Sequence, residues 1–284
     1  MAQANTTWEW EITPTSNASL NLREIWQYRH LLTNLVKRDF LLVNQQTVLG
    51  PLWSLIQPLL TLIIYVLIFS RIVGISTGPL PPVLFYYSGI ILWSLFQDCF
   101  AGAAGSLKDN AHIFNKVYLP RLVFPLSVGL TQLLRFAIQA CLLIILMTWF
   151  SVTGKFHIGL NVYGFLLPLL AVIMVCISGL TAGLLSAIVA ARYRDMFNVI
   201  SVLIRLMMFA TPVIYPLNNI EPGLRWIVQL NPLTSFFELF RYALFGTGIL
   251  NITALWGSVI VVLFFFLYAV RAFVARSNQM LDII

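Results

Sequence analysis

Two arginines stand inside long apolar runs. Arg135 lies midway through LTQLLRFAIQACLL, and Arg205 lies within VLIRLMMFATPVIYP. An arginine at the centre of a membrane helix costs at least about 2.5–3.5 kcal/mol, so neither is expected to face lipid. Two uses are open to them. One is a buried pair with Asp98, Gln132, Gln139 or a backbone carbonyl. The other is a seat for an anionic group such as a phosphate. Asp98 is the one acidic residue clearly within an apolar run. The acidic residues are otherwise spread along the chain. They make no carboxylate pair of the kind a glycosyltransferase uses to hold a metal and a sugar nucleotide. His30, His112 and His157 fall on three separate segments, without the HExxH spacing of a zinc site. Cys99, Cys141 and Cys176 all lie in apolar runs and form no close pair. They read as small buried hydrophobes and not as metal or redox ligands. No GxxxxGK[ST] phosphate loop occurs. If the chain is part of a pump, ATP hydrolysis through such a loop falls to another polypeptide.

Two further groups invite a functional reading. Phe85, Tyr86, Tyr87, Trp93, Phe96, Tyr215, Phe236 and Phe237 cluster near the ends of apolar runs. They suit a belt at the lipid–water boundary. They also suit a carbohydrate path, because the apolar CH face of a sugar packs on an aromatic ring and can slide over it. The segment SLKDNAHIFNKVYLPR, residues 106–121, sets Lys108, Asp109, His112, Asn115, Lys116 and Arg121 around Ile113, Phe114 and Tyr118. It reads equally as a docking surface and as a solvated turn.

The elements that must carry these residues follow from composition. The chain has 284 residues, of which 60% are hydrophobic and 10% charged. Soluble domains run at about 45–50% and about 25%. A soluble enzyme, a soluble binding module and a disordered chain are excluded. Long apolar runs without short alternating strands exclude a barrel. The fold class is an all-α polytopic membrane protein. Six spans are expected, near Leu52–Ile72, near Val83–Gly105, within Leu122–Phe150, within Val162–Ala190, near Phe197–Tyr215 and near Ala254–Ala272. Between the last two lies a Pro-rich amphipathic stretch. Its Pro232–Phe245 portion suits a short helix dipping into the membrane. Ahead of the spans, residues 20–46 have apolar residues at helical spacing and a basic polar face. They fit an amphipathic helix lying on the cytoplasmic surface. Asn21 and Glu24 resemble a capping box at its start. Residues 1–19 form a polar arm, and residues 47–284 make up the six-helix domain.

Charge sets the expected orientation. Of the 17 basic residues, eleven fall on one side if the N-terminus is inside. Arg71, Lys155, Arg225 and Arg241 fall on the other. The positive-inside rule then places both termini in the cytoplasm. The net charge of +7 is explained by this bias, with no need for nucleic acid. No cleavable signal is visible, so the first span is expected to target the chain.

The order of these segments resembles a known family. An amphipathic helix precedes six spans. FNKVYLPR follows span two, RYRDMFNVI follows span four, and TPVIYP and LNPLTSFFELFRYALF lie between spans five and six. From about Leu22 to Arg276 the chain is similar to the permease subunit of bacterial type-2 ABC exporters. The nearest branch exports O-antigen and related polysaccharides in lipopolysaccharide biosynthesis. The resemblance implies a homodimer in the inner membrane with two copies of a separate ABC ATPase. ATP and magnesium are carried by that partner, and this chain has no cofactor. It implies ATPase contacts from the amphipathic helix and the following loop, with Arg38, Lys108, Asp109, His112, Asn115 and Lys116 as candidates. It implies a central channel gated on the outside by short helices, and a cargo of undecaprenyl-diphosphate-linked polysaccharide. Lys37, Arg38 and Arg121 lie where they can approach the carrier diphosphate. Other cargoes for the same architecture are teichoic acid, capsule, a drug or a lipid. A membrane glycosyltransferase is the alternative of another class.

Overall fold

The computed structural model describes residues 26–44, 49–110, 121–154, 163–193 and 195–283. The polar arm, the capping-box start of the amphipathic helix, His112, Asn115, Lys116 and the Lys108 side chain lie outside the described residues. Among the described residues the structure is helical, with no strand. Helix α1 is Arg29–Asn44 and α2 is Trp53–Tyr65, continued by a π-helical turn over Val66–Ile72. Helix α3 is Pro82–Asp109, α4 is Val123–Val152 and α5 is Tyr163–Arg192. Helix α6 is Met196–Met207, α7 is Arg225–Gln229, α8 is Pro232–Phe245 and α9 is Ile252–Ile283.

Five helical stretches are long and apolar enough to cross a membrane: Gly50–Ile72, Pro82–Ser106, Val123–Val152, Gly164–Arg192 and Ile252–Arg276. They coincide with the first four spans and the last span read from hydropathy. The remaining one differs. Phe197–Tyr215 is not a single span-length helix, because α6 stops at Met207. Met208 to Thr211 continue as tight i→i−3 turns, and Pro212 has no amide proton with which to extend them. Twelve helical residues rise only about 18 Å, against about 30 Å of hydrocarbon. Hydropathy missed this ending because the turn residues Met208, Phe209, Ala210 and Val213 are themselves apolar.

Helix α3 is the central post. Leu84, Tyr86, Tyr87, Ile91, Leu92 and Cys99 are all fully buried around it. Helix α5 lies against α3 at very short range. A Cβ added at Gly179 would come within 2.6 Å of the Phe96 carbonyl oxygen, and one at Gly183 within 2.6 Å of the Phe100 oxygen. In a bilayer no hydrophobic drive favours one apolar partner over lipid. Small residues that admit close van der Waals contact therefore decide which helices pair. The outer faces of α2, α4 and α9 carry exposed apolar residues such as Ile63, Ile64, Ile145, Trp149, Ile260 and Phe264. These faces suit lipid or another subunit.

Helix α1 packs its apolar side on the bundle, as Leu35 forms a buried cluster with Val123 and Phe124 at the head of α4. At the far end of the bundle, Asn219 Nδ2 donates to the Ser76 carbonyl at 2.8 Å. Ser76 lies in the connection between α2 and α3. Helix α8 follows local rules closely. Asn231 caps it by accepting from the Leu233 amide, Pro232 opens its first turn, and Gly246 closes it with a φ of 67°.

Candidate functional site

A groove of about 350 Å³ opens between α2, α3 and α4. Phe40 of α1, and Met208 and Val213 beyond α6, also line it. Trp53, Ser54, Gln57 and Thr61 enter from α2. From α3 come Trp93, Ser94, Gln97 and Asp98, and from α4 come Arg135 and Gln139. Asp98 is exposed to this groove, and Arg135 is half-buried beside it. Arg135 Nη1 donates to Gln132 Oε1, one turn away, at 3.4 Å. Counted along their helices from the α1 side, both charges lie about 17–18 Å deep. A carboxylate and a guanidinium at that depth need water, each other or a polar ligand. The wall is fixed by Gln139. Its Nε2 donates to the Ser54 carbonyl at 3.1 Å, while its own carbonyl accepts from Tyr87 Oη at 3.1 Å. Three helices are thereby tied at one residue.

Arg38 makes a second junction. Its Nε and Nη2 meet Asp39 Oδ1 at 2.9 and 2.8 Å, and its Nη2 also donates to Asn110 Oδ1 at 3.0 Å. Asn110 in turn donates to the Ser106 carbonyl at 2.9 Å. Helix α1 is thus tied to the end of α3, and the Arg38 side chain remains 36% exposed. Lys37 and Asp109 are exposed, and Arg121 is half-buried at the head of α4.

The third site escaped the sequence reading, which counted Arg241 among outer-loop charges. Arg241 is 2% exposed, in the middle of α8. Its guanidinium donates to the carbonyls of Pro212, Val213 and Phe85 and to Ser88 Oγ. The guanidinium carbon sits 3.8 Å from the centroid of the Phe85 ring. Glu238, one turn earlier, lies 3.7 Å away and accepts the Ile249 amide at 3.1 Å. Burial pushes the Glu238 carboxyl up from its usual range, and the Arg241 guanidinium pulls it back. Gly89 gives the arginine room, since a Cβ there would stand 2.8 Å from its Nη2. The available signal was the Glu–x–x–Arg spacing inside PLTSFFELFRYALF, which puts both charges on one apolar helix face.

The remaining residues singled out by sequence are dispersed. Phe85, Tyr86, Tyr87, Trp93, Phe96, Phe236 and Phe237 are buried inside the chain. Of these, Trp93 reaches the groove. Tyr215 is half-buried and donates to the Phe209 carbonyl at 2.9 Å. Arg205 is exposed on α6, among the exposed Val202, Leu203 and Leu206.

Comparison with known proteins gives this arrangement a context. The family described as "ABC-2 type transporter" matches residues 30–245. The O-antigen export system permease protein RfbA of Myxococcus xanthus is 30% identical over 222 residues, covering 78% of this chain and 82% of that protein. A protein of the same name from Klebsiella pneumoniae is 28% identical over 221 residues, with the same coverage of both chains. The polysialic acid transport protein KpsM of Escherichia coli is 27% identical over 197 residues, covering 69% of this chain and 73% of that one.

Proposed function

The chain belongs to the ABC-2 type transporter family, and from that premise we propose that it is the permease of a polysaccharide exporter. It is a transport subunit and not an enzyme, with ATP hydrolysis on a separate subunit in this family. The observation that carries the cargo is the likeness to the RfbA proteins over most of both chains. The cargo we propose is a lipid-linked polymer of the O-antigen type on undecaprenyl diphosphate, crossing the inner membrane. The KpsM relatives, named for polysialic acid transport, favour a second reading in which the polymer itself is anionic.

The working unit is a homodimer of this chain with two ATPase subunits. Helix α1 and the loop after α3 form the motor contact, through Arg38, Lys108, Asp109, His112, Asn115 and Lys116. ATP-driven closure pushes α1, and the Arg38–Asn110 link supports passage of that movement into α3. The sixth crossing is composite: α6 and the turns after it carry the chain from the α1 side to the Ser76 side. The bond from Asn219 to Ser76 supports this, since it places the end of that stretch beside the α2–α3 connection. Both termini then lie in the cytoplasm, in keeping with the basic bias. Helices α7 and α8 re-enter from the outer face as a gate, which the full burial of the α8 charges supports. Arg205, exposed on a helix within the bilayer, faces the space between the two copies and receives anionic groups. The carrier diphosphate meets Lys37, Arg38 and Arg121 at the cytoplasmic boundary. Of the aromatics singled out in the sequence, Trp93 and Tyr215 are the best placed to touch a passing polymer.

The test begins with the intact system. Deleting this chain abolishes surface polysaccharide, and inactivating the partner ATPase has the same effect. The two subunits co-purify, and lipid-linked glycan stimulates their ATPase. Surface polymer at wild-type levels after deletion would overturn the proposal. Neutral substitutions at Lys37, Arg38 and Arg121 together lower export at least about tenfold by the loss of charged contacts. Wild-type export from that triple variant removes the diphosphate role and the roles given to Arg38 at the motor contact and the Asn110 link, and leaves the export reading standing.

A further inference from the structure

The groove between α2, α3 and α4 has a composition that lipid packing does not explain. Asp98 and Arg135 bring one charge of each sign. Gln57 and Gln97 bring amides that both donate and accept. Trp53 stands at the groove and is 49% exposed, and Trp93 forms part of the wall. These side chains come from three separate helices and converge on one space of about 350 Å³. That volume falls within the range of about 300–1,000 Å³ seen for ligand sites.

The chemistry selects among occupants. An acyl chain is disfavoured, because it offers nothing to the Asp98 carboxylate or to the guanidinium donors that Gln132 leaves free. A phosphate is disfavoured by Asp98, which repels it as Arg135 attracts it. A sugar ring meets every feature. Its hydroxyls donate and accept, so they satisfy the amides and both charges together. Its CH face lies on an exposed indole. From Trp53 to Tyr65 the α2 wall runs about 18 Å, enough for more than one ring in file. The geometry points to a glycan-binding subsite in this groove, holding one or two uncharged sugar rings of the polymer within a single protomer. This deepens the export reading and rests on it.

The test uses a thiol in the groove. Ser94→Cys is placed in a Cys141→Ser background, because Cys141 is exposed while Cys99 and Cys176 are buried. The permease–ATPase complex, with its ATPase inactivated, is taken directly into nanodiscs, where both faces are open. One preparation comes from cells making the polymer, and the other from cells lacking the first glycosyltransferase of its synthesis. A charged methanethiosulfonate reagent labels the introduced thiol at position 94 in both. The expected result is labelling at least about threefold slower when polymer is present. Adding Asp98→Asn reduces that protection, because the ring loses a partner in the groove. Equal rates with and without polymer overturn the subsite, as does a thiol that never labels. Protection unchanged by Asp98→Asn also overturns it, since the effect then arises elsewhere. Each of these results leaves the export reading standing, because that reading fails only if deletion of the chain leaves surface polymer intact.

Discussion

Arg241 shows how much one side chain can organise in a membrane bundle. It takes carbonyls from α3 and from the turns after α6, and pairs with Glu238 on its own helix. Removing one member of a buried pair strands the other, at about 3–5 kcal/mol. Arg241→Met therefore lowers the unfolding midpoint in detergent sharply. Adding Glu238→Gln recovers part of the loss, because the stranded carboxylate is gone. An equal loss in single and double variants would show that packing, and not charge, dominates here. Gly89→Ala tests the same latch from the other side. Its Cβ meets the guanidinium and the Val213 carbonyl, within 2.9 Å. Overpacking of this kind costs about 1–3 kcal/mol. Full additivity of Gly89→Ala with Arg241→Met would assign the clash to the Val213 carbonyl alone, since only the contact with the guanidinium needs the arginine.

At the scale of elements, the long helices were legible because an apolar run of about 20 residues is the length a bilayer demands and a soluble core rarely uses. The amphipathic α1 was legible for a similar reason, as Leu32, Leu35, Val36 and Phe40 recur at helical spacing, and Leu35 and Val36 are buried. The end of α6 was not, because a turn made of apolar residues looks like more helix. Nor was the groove, whose polar groups sit far apart in sequence, at Gln57, Asp98 and Arg135. Only the packing of α2, α3 and α4 joins them. That packing depends on α5 holding α3, which yields a further prediction. Gly179→Val or Gly183→Val pushes α5 off the Phe96 and Phe100 carbonyls. The expected outcome is chain that is synthesised but degraded or aggregated, read as loss of the monodisperse peak in detergent. A normal peak would mean that the bundle tolerates a wider α3–α5 spacing than its geometry suggests. The Arg38–Asn110 link makes a subtler claim. Arg38→Ala and Asn110→Ala should each reduce export severalfold, and the double variant no further. Such non-additivity marks a shared contact of about 1 kcal/mol. Independent, multiplying losses would mean that α1 acts on the ATPase without passing force through this bond.

At the scale of the molecule, a chain with few charges can still be strongly polarised. With the N-terminus inside, most of the basic residues fall on one face and Arg71, Lys155 and Arg225 on the other, while a few charges stand among the helices, at Asp98 with Arg135 and at Glu238 with Arg241, and Arg205 lies on the exposed face of α6. That division suits a passage whose chemistry is supplied from outside it. It also makes topology the quantity on which most depends. Five span-length helices alone would leave the termini on opposite faces. The composite crossing proposed through α6 and the turns to Asn219 would supply a sixth passage and return the C-terminus to the side of α1. Single cysteines at Thr33, at Ser76 and near the chain end, introduced into a background lacking the three native cysteines, distinguish the two. An impermeant thiol reagent applied to intact spheroplasts should label only the cysteine at position 76. Labelling of the chain end from outside would break the composite crossing and reverse the placement of α9. The proposed outer gate at α8 would then need a different account, since α8 and α9 are joined by only six residues, 246–251.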